Sequence, residues 1–305
     1  MQTLEIAGSN RHLSKERGFI AVNTKKEPLG KIPLDDLACV LVSGHGVTYS
    51  NDLLAALAER AIPVVLCGSN MQPLAVLWPL RSHHLSGQRI KAQADISVPL
   101  RKRLWQALVQ AKILLQACNA EQHEAKAGHL RALAKAVRSG DPDNLEAEAA
   151  RIYFKVCFGA KFKRDRNAPG VNAQLNYGYT VLRAATARAV MLAGLHPAFG
   201  LHHCNARNSM PLVDDVMEPF RPVVDMLVLR LQRNGNDAVD KQAKSLLSAL
   251  PNVDMPLRKK TGTVSSCLSA LTASLAEVFT GDGRRLVLPD GLIPLGETTP
   301  LPWPS

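Results

Sequence analysis

The hydrophobic pattern of this 305-residue chain changes its period near residue 80. Before that point, short apolar runs rich in β-forming residues occur at positions 19–22, 39–42 and 63–66, with Gly, Asn, Ser or Pro close by. Such runs are typical of β-strands. From Leu104 almost to Ala276, apolar residues recur instead at helical spacing. The pattern therefore predicts an α+β protein in which a β-rich part precedes a larger α-helical part.

This change of pattern suggests four segments along the chain. They are a small β-rich domain at residues 1–80, a polar and basic linker at 81–100, an α-helical domain at 101–280 and a C-terminal tail at 281–305. The tail is rich in Pro, Gly and Leu, which suits a short hairpin or a mobile end. One helix is predicted inside the β-rich domain, because Ser50 is a favourable N-cap and an apolar stripe begins at Leu53.

The charge of the chain is strongly positive, with a formal net charge of +11 and an isoelectric point of about 9.6. Such an excess favours a polyanionic partner, and nucleic acid before an anionic membrane. The sequence contains no apolar run of about 18 residues, so no membrane-spanning helix is expected. The N-terminus does not resemble a signal peptide. The six cysteines are scattered without a Cys-x-x-Cys pair, which is typical of reduced thiols. We therefore expect a cytoplasmic protein.

Several common catalytic signatures are absent from the sequence. It contains no Gly-x-x-x-x-Gly-Lys-Ser/Thr loop, no Gly-x-Ser-x-Gly turn and no zinc-finger spacing. These absences disfavour nucleotide hydrolysis by a P-loop and serine hydrolase chemistry.

Residues 199–225 concentrate histidine and acidic side chains. His202 and His203 are followed within a short distance by Asp214, Asp215 and Glu218. Carboxylate and imidazole together are a ligand set for a divalent cation, and a cation within a basic surface suggests work on a phosphodiester. Because adjacent side chains of a regular element point apart, only one of the two histidines is expected in a site, and the pattern leaves open which.

The acidic residues of this stretch have helical spacing. Asp214 and Glu218 are four positions apart, so a helix would put them on one face. Pro219 and Pro222 interrupt the pattern and predict a kink or an irregular turn there. The alternative is an acidic helix start in which Arg221 pairs with Glu218.

A further carboxylate and a basic cluster lie upstream. Glu146 is predicted on a helix that Asp141 can cap, and Glu148 competes with it if the helix register is misread. Five basic residues follow this helix, and we expect them to contact phosphates, with a solvated loop as the alternative. They are Lys155, Lys161, Lys163, Arg164 and Arg166.

These residues resemble one family, the CRISPR-associated integrases known as Cas one proteins. The resemblance covers most of the chain and includes residues 32–37, 102–106, 111–113 and 146–154. Two runs are especially characteristic: Leu-Asn-Tyr-Gly-Tyr-Thr-Val-Leu-Arg at 175–183 and Asp-Val-Met-Glu-Pro-Phe-Arg-Pro at 215–222. The His-His pair and the second run are similar to the forms found in type II systems, subtype C.

The resemblance implies roles for individual residues. The family's metal ligands fall on Glu146, His203 and Glu218, which would also be the catalytic residues, and Asp215 matches a nearby acidic position that would support the site. Many relatives have glycine where this chain has Ala147, and many have aspartate at the position of Glu218.

The resemblance also implies a fold, an activity and partners. The fold would be a sandwich-like β-rich domain followed by an α-helical catalytic domain. The activity would be DNA strand transfer with Mg²⁺ or Mn²⁺, in which a spacer 3′-hydroxyl attacks a phosphodiester at the boundary of a CRISPR repeat. The partners would be spacer and repeat DNA, a second copy bound through the N-terminal domains, and the small Cas two protein. Two alternatives remain: a metal-dependent nuclease without strand joining, and a DNA-binding architectural protein whose acidic cluster is structural.

Overall fold

The computed structural model of the chain describes residues 2–25, 27–68, 73–77, 79, 83–122, 127–203, 205 and 207–293. Its N-terminal part consists of two four-stranded sheets and one helix. The strands are β1 Gln2–Ile6, β2 His12–Glu16, β3 Phe19–Asn23, β4 Pro28–Pro33, β5 Leu37–Val42, β6 Thr48–Tyr49, β7 Val64–Cys67 and β8 Pro73–Leu77, with helix α1 at Asn51–Glu59. Ser50 caps α1 by accepting a hydrogen bond from the Leu53 backbone N–H at 3.3 Å, as the sequence predicts.

The two sheets differ in topology. The first has the order β1-β5-β7-β8, in which β5 pairs in parallel with β1 and β7 while β8 pairs antiparallel to β7. The second has the order β4-β3-β2-β6, and its first three strands form an antiparallel meander. The three predicted strand runs lie in β3, β5 and β7.

Strand β5 lies between two hydrophobic cores, which explains why all of its residues are buried. Val40 and Val42 face a core shared with the second sheet and α1. Cys39 and Leu41 face the opposite side, where they join the large core of the helical part. Alternating side chains of one strand thus serve both cores, and the strand reads as a continuous apolar run because it is covered on both faces.

The remainder of the described chain is mostly helical. The helices are α2 Ser86–Ala94, α3 Val98–Gln122, α4 Gly128–Ala136, α5 Leu145–Phe158, α6 Val171–Leu192, α7 Pro211–Met217, α8 Arg221–Arg233, α9 Lys241–Ser248 and α10 Val264–Thr280. Helices α3 and α6 are long, and most residues of α6 are buried. The prediction of an α+β protein is confirmed.

One stretch of the predicted helical pattern is instead a hairpin. Strands β9 Asp254–Leu257 and β10 Lys260–Thr263 pair antiparallel to each other. Arg258 and Lys259 connect them with φ values of 49° and 63°, the left-handed conformation that tight hairpin turns require. The helical structure predicted from the hydrophobic pattern is therefore wrong for these ten residues.

The structure covers only part of the predicted segment boundaries. Residue 80 lies outside the described residues, as do residues 294–305 of the tail. Within the predicted linker, Ser86–Ala94 form α2, which packs against α10, and α3 begins at Val98. None of the helices in the described ranges combines the length and apolar character needed to cross a bilayer.

Candidate active site

Helix α5 begins at a capped turn that fixes the position of Glu146. The Asp141 carboxylate accepts hydrogen bonds from the backbone N–H groups of Leu145 at 2.9 Å and Glu146 at 3.0 Å. The predicted capping by Asp141 is therefore present, although the helix starts three residues beyond Pro142. Asn144 precedes the helix with φ 53°, so the chain makes a tight turn into the first helical residue.

Glu218 lies where two helices meet. Helix α7 ends at Met217, Glu218–Phe220 form one turn of 3₁₀-helix, and α8 begins at Arg221. Pro219 lies within this turn, so the irregularity predicted from the prolines is present. The Glu218 side chain is almost fully buried and accepts a hydrogen bond at 2.7 Å from Arg221 Nε.

The ammonium group of Lys112 brings the two carboxylates together. Lys112 lies on α3 with 7% of its side chain exposed. Its Nζ donates to Oε1 of Glu146 and, at 2.6 Å, to Oε2 of Glu218. Glu146 and Glu218, which lie 34 and 106 positions after Lys112 in the sequence, thus share its one positive charge.

Burial and charge act in opposite directions on this cluster. Burial alone would raise the pKa of Glu218, but Arg221 and Lys112 lower it to about 2. Burial alone would lower the pKa of Lys112, but the two carboxylates raise it. The Glu218 carboxylate and the Lys112 ammonium are therefore both charged at neutral pH, and they form an ion pair.

Asp215 organises the loop that carries the histidine pair. Its carboxylate is fully buried and accepts hydrogen bonds from the backbone N–H groups of Leu201 at 2.5 Å, His202 at 3.1 Å and His203 at 3.2 Å. It also contacts Nδ1 of His203 at 2.6 Å. That bond raises the pKa of His203 and leaves Nε2 as the ring nitrogen that can bind a metal.

The two histidines have different surroundings. The ring of His202 stacks on Trp105 of α3, with ring centroids 4.3 Å apart and planes 3° apart. His203 meets the same indole edge-on and lines a cleft with Glu146 and Glu218. The geometry therefore distinguishes a histidine that stacks on Trp105 from one that lines the cleft.

Asp214 lines the same cleft but is already paired. Its carboxylate accepts hydrogen bonds from Arg183 Nε at 2.7 Å and from Asn208 Nδ2 at 2.8 Å. Asp214 therefore orients Arg183 and Asn208, which also line the cleft, whereas Lys112 contacts Glu146 and Glu218.

The cleft itself is large and rich in positive charge. Its volume is about 790 Å³. Basic side chains in its lining are Lys112, Arg164, Arg166, Arg183, Arg207 and Arg221, against the acidic Glu146, Asp214 and Glu218. Of the predicted basic cluster, Arg164 and Arg166 line the cleft. Lys155, Lys161 and Lys163 are exposed, and Lys155 lies in the last turn of α5 instead of after that helix as predicted. Arg164 is also half-buried, donating to Asn172 and Asn176.

Lys112, Arg183 and Arg207 were missed as functional candidates by the sequence analysis. Lys112 carried a usable signal, because a lysine inside the apolar run of α3 has to find a buried partner or be pushed to the surface. Arg183 and Arg207 carried none, since exposed and buried arginines look alike in a sequence.

The candidate ligands of the cleft are oxygen and nitrogen donors of the kind that bind a divalent cation. In the described part of the chain, no three His, Cys, Asp or Glu side chains already stand as a metal-binding group. Two features explain this arrangement: Lys112 sits between the carboxylates, and His203 is hydrogen-bonded to Asp215. The chemistry nevertheless fits, because Glu146 and Glu218 already share a cation and a histidine oriented by a carboxylate lines the same cleft.

Both the sequence and the fold of this chain are similar to those of known proteins. The sequence profile of the family described as CRISPR associated protein Cas1 matches residues 4–247. A CRISPR-associated endonuclease Cas1 from Neisseria meningitidis serogroup C (strain 8013) is 37% identical over 272 residues, covering 87% of this chain and 88% of the relative.

Two solved structures share the fold at lower identity. A casposase bound to integration product superposes with a TM-score of 0.79 at 20% identity, covering 94% of this chain and 92% of the other. A CAS1 protein from Thermotoga maritima gives a TM-score of 0.77 at 21% identity, covering 93% and 99%.

Proposed function

This chain belongs to the CRISPR-associated protein Cas1 family, and we propose that it is a metal-dependent DNA integrase and endonuclease of CRISPR adaptation. One observation carries the proposal: Glu146 and Glu218, from separate helices, converge on one positive charge beside His203 in an arginine-rich cleft. The 37% identity to the Neisseria protein is consistent with a type II, subtype C assignment.

The proposed reaction is a transesterification. The 3′-hydroxyl of a spacer strand forms a new P–O bond at the repeat boundary while the existing P–O3′ bond breaks. The attacking hydroxyl loses its proton and the leaving 3′-oxygen takes one up, so a new 3′-hydroxyl is released with no net change in protons. The chemistry supplied by a bound Mg²⁺ or Mn²⁺ is polarisation of the phosphoryl oxygen, activation of the hydroxyl and stabilisation of the leaving oxygen. Glu146, His203 and Glu218 would hold that ion, and the imidazole makes Mn²⁺ a suitable choice.

Other residues of the chain would position these ligands and the DNA. Asp215 orients His203. Arg221 Nε donates to Oε1 of Glu218, whereas Lys112 Nζ donates to the other oxygen, Oε2. Arg164, Arg166 and Arg207 line the cleft where a DNA backbone would lie, and the exposed Lys155, Lys161 and Lys163 extend the basic surface.

The proposed partners are DNA, a second copy of this chain and the Cas2 protein. The net charge of +11 and the basic cleft support DNA. The homodimer through residues 1–80 and the pairing with Cas2 follow from family membership. We place the activity in the cytoplasm, where the five described cysteines, all free thiols, would stay reduced.

A plasmid integration assay tests the activity. The substrate is a short duplex with free 3′-hydroxyl ends, combined with the cognate Cas2 and with Mn²⁺ or Mg²⁺ present or removed by EDTA. Glu146→Gln keeps the shape of the side chain and removes its charge. Glu148→Gln is the matched control, since Glu148 is 42% exposed and contacts only His129, at 3.9 Å, among its described ion pairs.

The outcomes separate the candidate functions. Metal-dependent joining at a repeat boundary, lost in Glu146→Gln and kept in Glu148→Gln, supports the integrase. Cleavage without joining would instead identify a nuclease, which the name of the Neisseria relative also describes. DNA binding with neither reaction would leave an architectural protein and overturn the proposal.

A further inference from the structure

The two candidate metal ligands of the cleft are neutralised before any metal binds. Glu146 and Glu218 together carry two negative charges. Lys112 contacts both carboxylates and Arg221 contacts the second one, so one buried and one partly buried positive charge stand against them. The cluster is close to electrically balanced as it stands.

This balance opposes binding of a divalent cation to the free protein. A metal ion at Glu146 and Glu218 has to share the carboxylates with the ammonium of Lys112, and like charges a few ångströms apart repel more strongly in a partly buried site than in bulk water. Lys112 cannot easily leave the cluster, because its side chain is 7% exposed and its helix α3 packs against α4, α5 and α8. Weak metal binding follows for the DNA-free protein.

A phosphodiester would change the charge balance of the same cleft. The lining also contains Arg164, Arg166 and Arg207, which attract a DNA backbone. A phosphate near Glu146 and Glu218 brings the negative charge that the metal needs, and it offers the ammonium group a third acceptor.

We propose that Lys112 acts as a built-in cation that makes metal binding and DNA binding cooperative: its ammonium occupies the position between Glu146 and Glu218 in the DNA-free protein, and an incoming phosphodiester relieves that competition. The inference rests on the proposed function, because it assumes that these carboxylates are metal ligands. Cooperativity between two ligands is reciprocal, so the metal tightens DNA binding by the same factor. The chain would thereby hold little metal, and cut or join little, until DNA fills the cleft.

Direct measurement of metal affinity tests this role without relying on activity. Electron paramagnetic resonance of Mn²⁺ gives the free ion concentration in a titration of the full chain. The titration is run with and without a duplex whose 3′ ends lack hydroxyl groups, so that no strand joining occurs. The proteins are the wild type, Lys112→Met, Lys112→Arg and, as a matched control, Lys135→Met, in which the exposed lysine of α4 is changed.

The expected result is a change in affinity that depends on the Lys112 charge. DNA should tighten Mn²⁺ binding to the wild type by about 5- to 150-fold, the usual range for coupled sites. Lys112→Met should bind Mn²⁺ about tenfold more tightly than the wild type in the absence of DNA and should show little further gain with DNA. Lys112→Arg and Lys135→Met should remain coupled like the wild type.

A second measurement uses the wild type alone and therefore does not depend on the folding of any variant. Fluorescence anisotropy gives the DNA affinity with and without Mn²⁺, and reciprocity requires the same factor as in the metal titration. Equal Mn²⁺ affinity with and without DNA overturns the inference. A Lys112→Met variant that folds but binds Mn²⁺ no more tightly than the wild type also overturns the inference. A wild type that binds no Mn²⁺ under either condition overturns the metal site of the proposed function itself, which is a separate failure.

Discussion

Asp215 holds His203 at two points, accepting a hydrogen bond from its backbone N–H at 3.2 Å and contacting its Nδ1 at 2.6 Å. The same carboxylate also accepts from the two preceding backbone N–H groups. One buried side chain from α7 thus fixes the path of the loop and the orientation of the ring. The position of His203 therefore depends on Asp215 as well as on the sequence of the loop.

Asp215→Asn should weaken the site while leaving its shape nearly unchanged. The amide has only one acceptor oxygen, so at least one of the backbone N–H groups would face an NH₂ donor. We expect a loss of about 10- to 100-fold in Mn²⁺ affinity, the usual effect of removing the carboxylate partner of a ligating histidine. A variant that binds Mn²⁺ and joins strands within twofold of the wild type would contradict this role.

Gly200→Ala should disturb the loop that carries His203. A Cβ at Gly200 would lie 2.9 Å from Oδ2 of Asp215 and 2.8 Å from the carbonyl oxygen of His203. We expect lower strand-joining activity and a free energy of unfolding reduced by about 1–3 kcal/mol. Gly87→Ala is the control, because Gly87 is exposed on α2 and a Cβ there meets no atom within 4 Å. Equal behaviour of the two variants would show that the loop tolerates the displacement.

Paired substitutions of the histidines separate their roles. His202 stacks on Trp105, so His202→Phe should keep the stacking and most of the integration activity. His203→Phe removes the ring nitrogen that a metal would use, so it should lower strand joining by at least about 100-fold. Integration of a 3′-hydroxyl duplex measures both. The assignment of His203 fails if His202→Phe is the more damaging change.

The exposed basic residues predict a salt-dependent contribution to DNA binding. Lys161→Ala and Lys163→Ala should each weaken binding to any duplex sequence and reduce the slope of log affinity against log salt by about 1. Lys15→Ala, at an exposed position of β2, should leave the slope unchanged. Fluorescence anisotropy at several salt concentrations provides the slopes. Identical slopes for all proteins would place the DNA elsewhere.

Elements with a strong local signal could be predicted from the sequence. Helix α1 was placed by Ser50 and its apolar stripe, and β5 by an apolar run that is buried on both faces. The β9–β10 hairpin was missed because its turn uses Arg258 and Lys259 in a left-handed conformation, which glycine or asparagine usually marks. Local pattern thus fails where the backbone conformation is imposed by the rest of the fold.

The site was predictable in part for a similar reason. Glu146, His203, Asp215 and Glu218 could be carried over from the family runs, and the prolines around Glu218 indicated its irregular turn. That Lys112 joins two carboxylates 34 and 106 positions away is a property of the packing of α3, α5 and the α7–α8 junction. No spacing rule connects residues so far apart.

A buried acid behind the site should make stability depend on pH. Asp225 is 1% exposed and accepts a hydrogen bond from the Tyr179 hydroxyl at 2.5 Å. Burial raises the pKa of Asp225 from 3.8 to about 6, although bonds from the tyrosines Tyr179 and Tyr153 and the charges of Arg221 and Lys112 oppose the rise. The folded protein therefore binds a proton between these values that the unfolded chain has already lost.

The stabilisation from protonated Asp225 is complete below about pH 3.8 and is lost as the pH rises through about 6. Its loss should lower the free energy of unfolding by on the order of 3 kcal/mol. Asp225→Asn cannot titrate, so its stability relative to the wild type should increase between about pH 4 and pH 7. Urea unfolding of both proteins across this range measures the difference, and the other titrating groups cancel because both proteins contain them. A difference that is constant, or that decreases with pH, would show that Asp225 is ionised in the folded protein throughout.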